Sequence, residues 1–321
     1  MASFDVFNGD ADGLCALHQL RLADPKDSVL VTGIKRDVGL LKKVQASSGD
    51  HITVLDISME KNREALQNLL AAGAQVTYVD HHFASDIPDH PALHAVIDRS
   101  PGVCTSSLVD KMLDGRFRIW AVVAAFGDNS PDCAARLGAS LNLSSGDLDK
   151  LAELGSCLNY NAYGNTIDDL FFHPAELYRC LHAYSDPFDF MREETIFPVL
   201  KRGYVADMAM ARTAQPAWVY PGGMVYLLPD QAWSRRVSGV FGNYLAQAEP
   251  RLAHAVLTRK PEGGYGVSVR APGNQPTRAD ELCCRFKTGG GRKSAAGINN
   301  LPENELTRFL GSFDESFRPS H

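Results

Sequence analysis

The chain has 321 residues, of which 45% are apolar and 22% are charged, a composition typical of folded globular proteins that excludes collagen-like and coiled-coil classes. Its formal net charge of -6 argues against a surface that clamps long nucleic acid through many phosphates. The apolar runs are far shorter than the roughly 20 residues that cross a bilayer, so we expect no membrane span. The seven scattered cysteines contain no C-x-x-C pair and indicate a reducing compartment. Together these features predict a cytoplasmic protein.

In the N-terminal part of the chain, short β-branched apolar runs alternate with helical stretches, which predicts a parallel sheet with crossover helices. The predicted strands span 4–7, 28–32, 52–57, 76–80 and 95–98. The predicted helices lie near 14–22, 39–45, 61–72, 105–113 and 119–126.

Farther along the chain, the pattern from 139 to 181 is helical. Short apolar runs then predict strands at 217–219, 224–228, 255–258 and 266–269. The expected fold class is α/β: a parallel-sheet, Rossmann-like domain over 1–185 is joined by a helical connector over 186–214 to a smaller α/β domain over 215–321.

Acidic and imidazole side chains follow several of the predicted strands at the point where each strand ends. The residues are Asp10, Asp12, Asp56, Asp80, His81 and His82, with Asp128 after the helix at 119–126. Because the carboxyl ends of parallel strands meet at one edge of a sheet, we expect these side chains to converge. Such a set offers mainly hard oxygen ligands, which suit manganese or magnesium better than structural zinc.

Paired carboxylates repel each other unless a cation neutralises them. One divalent ion, or two of them about 3.5–4 Å apart, would do so, lower the pKa of a bridging water and hold a phosphoryl group for in-line attack. The expected reaction is phosphoester hydrolysis. Taken one at a time, the acids have simpler explanations, since Asp10 to Gly13 is also a common turn sequence and Asp56 could cap a helix. Several such strand and helix ends together favour the metal site.

A glycine-rich segment near the C-terminus forms the second signal. It reads Gly289-Gly290-Gly291-Arg292-Lys293, with Ala295-Ala296-Gly297 shortly after. Glycines let backbone N–H groups approach an anion, and the two cations add charge-assisted donors. The segment lacks the spacing of the nucleotide-binding P-loop. Arg270, at the end of a predicted strand, adds a third cation in the same domain, which favours phosphate binding over a plain surface hairpin.

These motifs resemble the DHH phosphoesterase superfamily. Asp80-His81-His82 matches its name-giving motif, the segment 8–13 its first motif, Asp56 its second and Asp128 its fourth. The C-terminal segment is similar to the DHH-associated substrate domain, whose motif usually reads Gly-Gly-Gly-His, and the likeness extends to the nano-RNases and linear-dinucleotide phosphodiesterases. The resemblance implies that 1–185 is the catalytic, metal-binding domain and 215–321 the substrate-binding domain.

The resemblance also implies a role for each residue of the motifs. Asp56 would bridge two manganese ions, with magnesium as the other candidate metal. Asp80 would support the adjoining imidazole and His82 would contact the scissile phosphate, so these two are the predicted catalytic residues. The predicted metal ligands are Asp10, Asp12, Asp56, His81 and Asp128. The predicted substrate-binding residues are Asn8, Arg270, Gly289, Gly290, Gly291, Arg292 and Lys293.

Two positions depart from the family pattern. Val6 stands where the family commonly has a histidine, so one metal position would be weak or completed by water or Asn8. Arg292 replaces the histidine of the C-terminal motif, which favours a terminal phosphate as the group it binds, because arginine is a permanent, bidentate cation.

The expected function is manganese-dependent hydrolysis of linear dinucleotides such as pGpG, or of very short RNAs, to mononucleotides. The alternatives are an adenosine 3',5'-bisphosphate phosphatase and a catalytically inactive nucleotide sensor. The expected partner is the short RNA or dinucleotide substrate, with no clamp for long nucleic acid, no membrane, and a homodimer left open.

Overall fold

The computed structural model of the chain describes residues 1–273 and 278–319 and divides them into two compact units. The first unit comprises 1–162 and 166–201, and the second comprises 163–165 and the chain from 202 onward. No helix within the described residues is long and apolar enough to cross a membrane.

The first unit alternates strands and helices in its N-terminal half and is helical thereafter. Its strands are β1 (Ser3–Phe7), β2 (Val29–Val31), β3 (His51–Leu55), β4 (Gln75–Asp80) and β5 (Leu93–Ile97). Its helices are α1 (Ala11–Ala23), α2 (Met59–Ala71), α3 (Thr105–Met112), α4 (Arg118–Gly127), α5 (Pro131–Gly138), α6 (Ser145–Asn161), α7 (Pro174–His182), α8 (Pro187–Glu193) and α9 (Ile196–Arg212), the last of which continues into the second unit.

The five strands form one parallel sheet in the order β2-β1-β3-β4-β5. Neighbouring residues along β1 show how both faces are covered: Val6 packs with the cluster that includes α2, and Phe7 packs with the cluster that includes α1, α4 and α6. A sheet buried on both faces explains why its strands read as continuous apolar runs. The predicted parallel sheet is therefore confirmed.

One predicted helix of the first unit is shorter than expected. Residues 39–45 form only a 3-10 turn, Leu40–Lys43. Leu40 and Leu41 are buried against α2, and the side chain of Asn62 on that helix accepts a hydrogen bond from the Leu41 N–H at 3.2 Å. This N–H would lie in the first turn of a helix over 39–45, where it has no intrahelical acceptor, and the helical segment ends because the backbone of Val44 is extended.

The second unit is a mixed sheet with three further helices among the described residues. Its strands are β6 (Pro216–Tyr220), β7 (Gly223–Leu228), β8 (Ala253–Arg259), β9 (Tyr265–Arg270), β10 (Gly289–Gly291) and β11 (Ala295–Leu301), and its helices are α10 (Ala232–Ala248), α11 (Ala279–Cys284) and α12 (Leu306–Phe317). The strand order is β10-β11-β9-β8-β7-β6, with only β7 and β8 parallel. The predicted α/β fold class, with a parallel sheet and a second smaller α/β unit, is confirmed.

Two glycines let α4 pass close to its neighbours. A Cβ on Gly155 of α6 would lie 2.2 Å from the Val123 carbonyl oxygen on α4, and a Cβ on Gly127 would lie 2.4 Å from the Ala11 side chain on α1. Since Asp128 directly follows Gly127, this close packing sets where α4 delivers its terminal acid.

Gly155→Ala is expected to lower the free energy of unfolding by about 1–3 kcal/mol, because the new methyl group meets the backbone of α4 and the two helices must separate. Gly146→Ala on the same helix is the matched control, since its Cβ would meet only the Ser144 Oγ at 3.8 Å. Urea denaturation measures both variants. Equal stability of the two variants would contradict the packing argument.

Candidate metal centre

The carboxyl ends of β1, β3 and β4 deliver six of the seven acid and imidazole residues singled out in the sequence. Asp10 and Asp12 open α1 directly after β1, Asp56 follows β3, and Asp80 ends β4 with the two histidines after it. Asp10, Asp12, Asp56 and Asp80 are all buried, with at most 2% of their surface exposed. The structure thus brings residues from three separate segments to one edge of the sheet.

Backbone amides hold the first two carboxylates. Asp10 caps α1, and its Oδ1 accepts the N–H groups of Asp12 at 3.0 Å and Gly13 at 3.1 Å. Asp12 in turn accepts the first two N–H groups of α3, from Thr105 and Ser106, each at 2.7 Å. The amino terminus of a helix favours negative charge, so α3 stabilises Asp12 as an anion and fixes its orientation.

Asp56 has a left-handed backbone conformation, with φ of 58°. Such a conformation is uncommon for a residue other than glycine and costs about 1–3 kcal/mol when the surrounding structure imposes it. Here the side chain is directed into the acid cluster, where its Oδ1 lies 3.2 Å from the Thr105 hydroxyl and 3.4 Å from the His81 Nε2. The strain therefore coincides with the point where the predicted ligands meet.

His81 is oriented by the backbone. Its Nδ1 lies 2.9 Å from the Val103 carbonyl oxygen, and since a carbonyl only accepts, Nδ1 carries a proton. Nε2 faces Asp56 at 3.4 Å and Asp12 at 3.9 Å; it carries a proton toward these carboxylates when the ring is charged and has a lone pair for a cation when the ring is neutral. A histidine that donates from one nitrogen to a carbonyl and directs the other nitrogen toward neighbouring carboxylates has the arrangement of a metal ligand.

His82 is the more accessible imidazole, with 42% of its side chain exposed. Its Nδ1 donates to Asp80 Oδ1 at 2.6 Å and lies 3.9 Å from Asp56 Oδ1. The second oxygen of Asp80, Oδ2, is buried without a hydrogen-bond partner. Asp80 thus orients His82, and His82 presents its remaining nitrogen at the open side of the cluster.

Burial and mutual repulsion shift the titration of these groups. Burial raises the pKa of Asp56 well above its ordinary value, and the charges of Asp10 and Asp12 raise it further. Burial also raises the pKa of Asp12. Burial would lower the pKa of His81, but its hydrogen bond to Asp56 and the surrounding carboxylates raise it to about 10. The anionic forms of Asp12 and Asp56 are thus destabilised unless positive charge lies nearby.

The side chains present fit a divalent cation. Among the residues that the structure describes, one group of three metal-capable side chains has ligand atoms all within 4.8 Å of one another: Asp56, His81 and His82. His82, predicted to contact the phosphate, is therefore itself one of the metal-capable side chains. Hard carboxylate oxygens with a minority of imidazole nitrogen suit manganese or magnesium.

The sequence analysis did not predict that a lysine lies beside the acid cluster. The Lys35 ammonium contacts the carboxylate of Asp10, lies 3.1 Å from the Asn159 amide oxygen and 3.8 Å from Asp128 Oδ1. This contact lowers the pKa of Asp10, although burial acts to raise it. Lys35 belongs to no recognisable motif, so no pattern in the sequence could have found it. Thr105 and Ser106 could have been found, because they begin a predicted helix whose amino terminus favours an anion.

Asn8 has two structural contacts. Its side-chain oxygen accepts the Asp10 N–H at 3.2 Å, and its amide donates to the Lys35 carbonyl oxygen at 3.4 Å. The residue is 7% exposed. Asn8 therefore ties the loop that carries Lys35 to the start of α1.

In the second unit, the Arg270 side chain forms hydrogen bonds with nearby residues of the same unit. Its guanidinium donates to Asn243 Oδ1 at 2.7 Å, to Ser268 Oγ and the Val269 carbonyl at 3.0 Å, and to the Gly239 carbonyl at 3.1 Å. These bonds join β9 to α10. Arg270 lies opposite Ala295 in the sheet, next to the turn that carries Arg292.

The glycine-rich segment is a β-hairpin. β10 pairs with β11, and the turn closes through hydrogen bonds between Arg292 and Ala295, with Arg292 and Lys293 exposed. A Cβ on Gly289 would lie 1.7 Å from the Cys283 carbonyl, and Gly291 has φ of 145° with Ala296 against it. Packing alone therefore demands glycine at these two positions. Around Gly290 a Cβ would meet nothing within 4 Å.

No protein-family model and no curated protein matches the sequence. The chain is similar to the structure of exonuclease RecJ bound to manganese, with a TM-score of 0.64 and 18% identity, covering 99% of this chain and 91% of that one. It is similar to the DHH domain of a member of the s1p family of ribosomal proteins, with a TM-score of 0.65 and 15% identity, covering 100% and 87%. It is also similar to PggH, a pGpG-specific phosphodiesterase from Vibrio cholerae, with a TM-score of 0.51 and 13% identity, covering 99% of each chain.

At sequence identities of 13–18%, similarity to these structures shows the fold alone. The fold that the resemblance to the DHH superfamily implied is therefore confirmed. The seven acid and imidazole residues quoted for that recognition all belong to the first unit, at the positions described above.

His81→Ala is expected to weaken Mn²⁺ binding by about 10-fold or more, because it removes the imidazole whose Nε2 faces Asp56 and Asp12. Isothermal titration calorimetry with Mn²⁺ measures the change. The matched control is His94→Ala, which removes an exposed histidine on the edge strand β5 and should bind Mn²⁺ like the parent. Equal affinity of both variants would exclude His81 from the centre.

Proposed function

We propose that this chain, which has the fold of the DHH superfamily, is a metal-dependent phosphoesterase that hydrolyses linear dinucleotides such as pGpG, or very short oligoribonucleotides, to mononucleotides. The convergence of buried carboxylates from β1 and β3 with His81 and His82 after β4 carries this proposal. The names of two structural neighbours, an exonuclease and a pGpG-specific phosphodiesterase, support it.

Asp12, Asp56 and His81 are the residues that would hold a divalent cation, with Mn²⁺ favoured and Mg²⁺ as the second candidate. When bound, such an ion supplies Lewis acidity and lowers the pKa of water. Asp12 is already fixed by the amino terminus of α3, and His81 by the Val103 carbonyl. These hydrogen bonds fix the orientation of Asp12 and His81, which supports a role for both as positioned ligands.

His82 is placed to act on the substrate. Its ring is half-exposed, lies beside Asp56, and is held by the hydrogen bond from its Nδ1 to Asp80. With Nδ1 donating to Asp80, the open nitrogen carries a proton only in the charged imidazole, and in that form it can donate a hydrogen bond to a phosphoryl oxygen. Burial tends to lower the pKa of His82, but the bond to Asp80 and the charge of Asp56 raise it, which favours the donor form.

The second unit has exposed cations suited to binding a terminal phosphate. Arg292 and Lys293 lie at the turn of the β10–β11 hairpin, and a guanidinium binds a terminal phosphate with two parallel hydrogen bonds. A short RNA or dinucleotide substrate also agrees with the net charge of -6, which is unsuited to long nucleic acid. A cytoplasmic location remains a prediction from the sequence, which left open whether the protein forms a homodimer.

The direct test is hydrolysis of pGpG, pApA, a 5'-phosphorylated RNA pentamer and adenosine 3',5'-bisphosphate, with and without Mn²⁺, followed by chromatography of the products. We expect metal-dependent release of mononucleotides from the dinucleotides and slower release from the pentamer. Asp80→Asn should reduce turnover by about 10- to 100-fold, because it weakens the bond that orients His82. Asp149→Asn, an exposed acid on α6, is the matched control.

Phosphate release from the bisphosphate alone would replace the proposed substrate by the alternative one. Nucleotide binding without turnover of any substrate would show a nucleotide sensor instead of an enzyme. Equal turnover of Asp80→Asn and the parent would contradict the role given to Asp80.

Arg292→Ala is expected to weaken binding of a 5'-phosphorylated dinucleotide by about 10- to 100-fold, the loss typical of a hydrogen bond to a charged group. Binding of the unphosphorylated dinucleotide should change little. Arg285→Ala, an exposed arginine paired with Glu315 in the same unit, is the matched control. Fluorescence anisotropy measures the affinities of the parent and both variants for the two ligands. Equal weakening for both ligands would exclude a contact between Arg292 and the terminal phosphate.

A further inference from the structure

A lysine ammonium lies against one side of the acid cluster. Lys35 contacts the carboxylate of Asp10, lies 3.1 Å from Asn159 Oδ1 and lies 3.8 Å from Asp128 Oδ1. The first and last of these contacts are with two of the five residues expected to ligate metal. Lys35 thus places a compact positive charge between carboxylates that would otherwise face a metal ion.

The main chain fixes the position of this lysine. The Lys35 N–H donates to the Ala162 carbonyl oxygen at 2.9 Å, and the Lys35 carbonyl oxygen accepts from the Asn8 side chain at 3.4 Å. Only 25% of the side chain is exposed. Bonds from both sides of the residue, together with those of the ammonium, hold Lys35 in one place.

Asp10 differs from the other acids of the cluster in having a positive charge directly against its carboxylate. Its Oδ1 accepts two backbone N–H groups at the start of α1, and its other oxygen contacts Lys35. Val6, four residues earlier, offers no ligand atom at the end of β1. By contrast, Asp56 and His81 belong to the group of ligand atoms that lie within 4.8 Å of one another. The cluster therefore has a lysine-bound side and a metal-capable side.

We propose that the Lys35 ammonium takes the position of a second divalent cation, so that the centre binds one divalent ion, held by Asp12, Asp56 and His81. This inference rests on the metal-dependent function proposed above. In two-metal sites the ions lie about 3.5–4 Å apart and share carboxylates. A fixed ammonium among those carboxylates neutralises part of their charge and repels a second ion from the same space.

The test is the number of Mn²⁺ ions bound per chain at saturation, measured without substrate by equilibrium dialysis with elemental analysis. The parent protein should bind one ion, and Lys35→Gln should bind two. Lys35→Arg keeps the charge and should bind one. Lys43→Gln, which removes an exposed lysine paired with Asp37, is the matched control and should also bind one.

Electron paramagnetic resonance provides a second readout. The parent should give the hyperfine pattern of an isolated Mn²⁺ ion, and Lys35→Gln should give the broadened spectrum of two coupled ions. Circular dichroism verifies that each variant is folded. If Lys35→Gln does not fold, the number of Mn²⁺ ions bound per parent chain tests the inference by itself.

Two ions per parent chain, no ion in the parent, or a single ion in folded Lys35→Gln would each overturn the inference. These results are independent of the hydrolysis assay. Turnover with two bound ions would leave the proposed function standing and remove this inference. If the parent bound one ion and Lys35→Gln bound two, but neither hydrolysed any substrate, this inference would stand and the proposed function would be wrong.

Discussion

Buried carboxylates at the edge of the parallel sheet impose the constraint on which the rest of this site depends. An ionised carboxylate taken out of water is very costly unless hydrogen bonds or opposite charge compensate it. Asp10, Asp12 and Asp56 are nearly inaccessible and raise one another's energy. Each must find compensation within the fold, and the local structure around the site consists largely of the groups that provide it.

The three carboxylates are compensated in different ways. Asp12 receives the amides at the start of α3, Asp10 receives those of α1 together with Lys35, and Asp56 faces the proton-bearing groups of Thr105 and His81. The compensation is least complete at Asp12 and Asp56, whose pKa values are raised, whereas that of Asp10 is lowered. This difference marks the side of the cluster that is suited to a cation.

Close helix packing and local backbone strain place the remaining groups. Gly127 and Gly155 bring α4 near α1 and α6, which sets the position of Asp128. The left-handed conformation of Asp56 persists because both faces of the sheet are packed around the end of β3. In the second unit, Arg270 joins β9 to α10, and two of the three motif glycines are required by contacts within the hairpin.

The sequence by itself determined the fold class and the acidic motifs. Continuous apolar runs identify strands buried on both faces, and acids directly after such runs must meet at one sheet edge, because all parallel strands end there. It could not determine that the glycine-rich segment is a hairpin, since glycine serves both anion binding and close packing. Only the tertiary structure decided that α3 binds Asp12 and that Lys35 faces Asp10. These contacts join residues far apart in the chain, and their geometry depends on how loops and helices pack rather than on any local pattern.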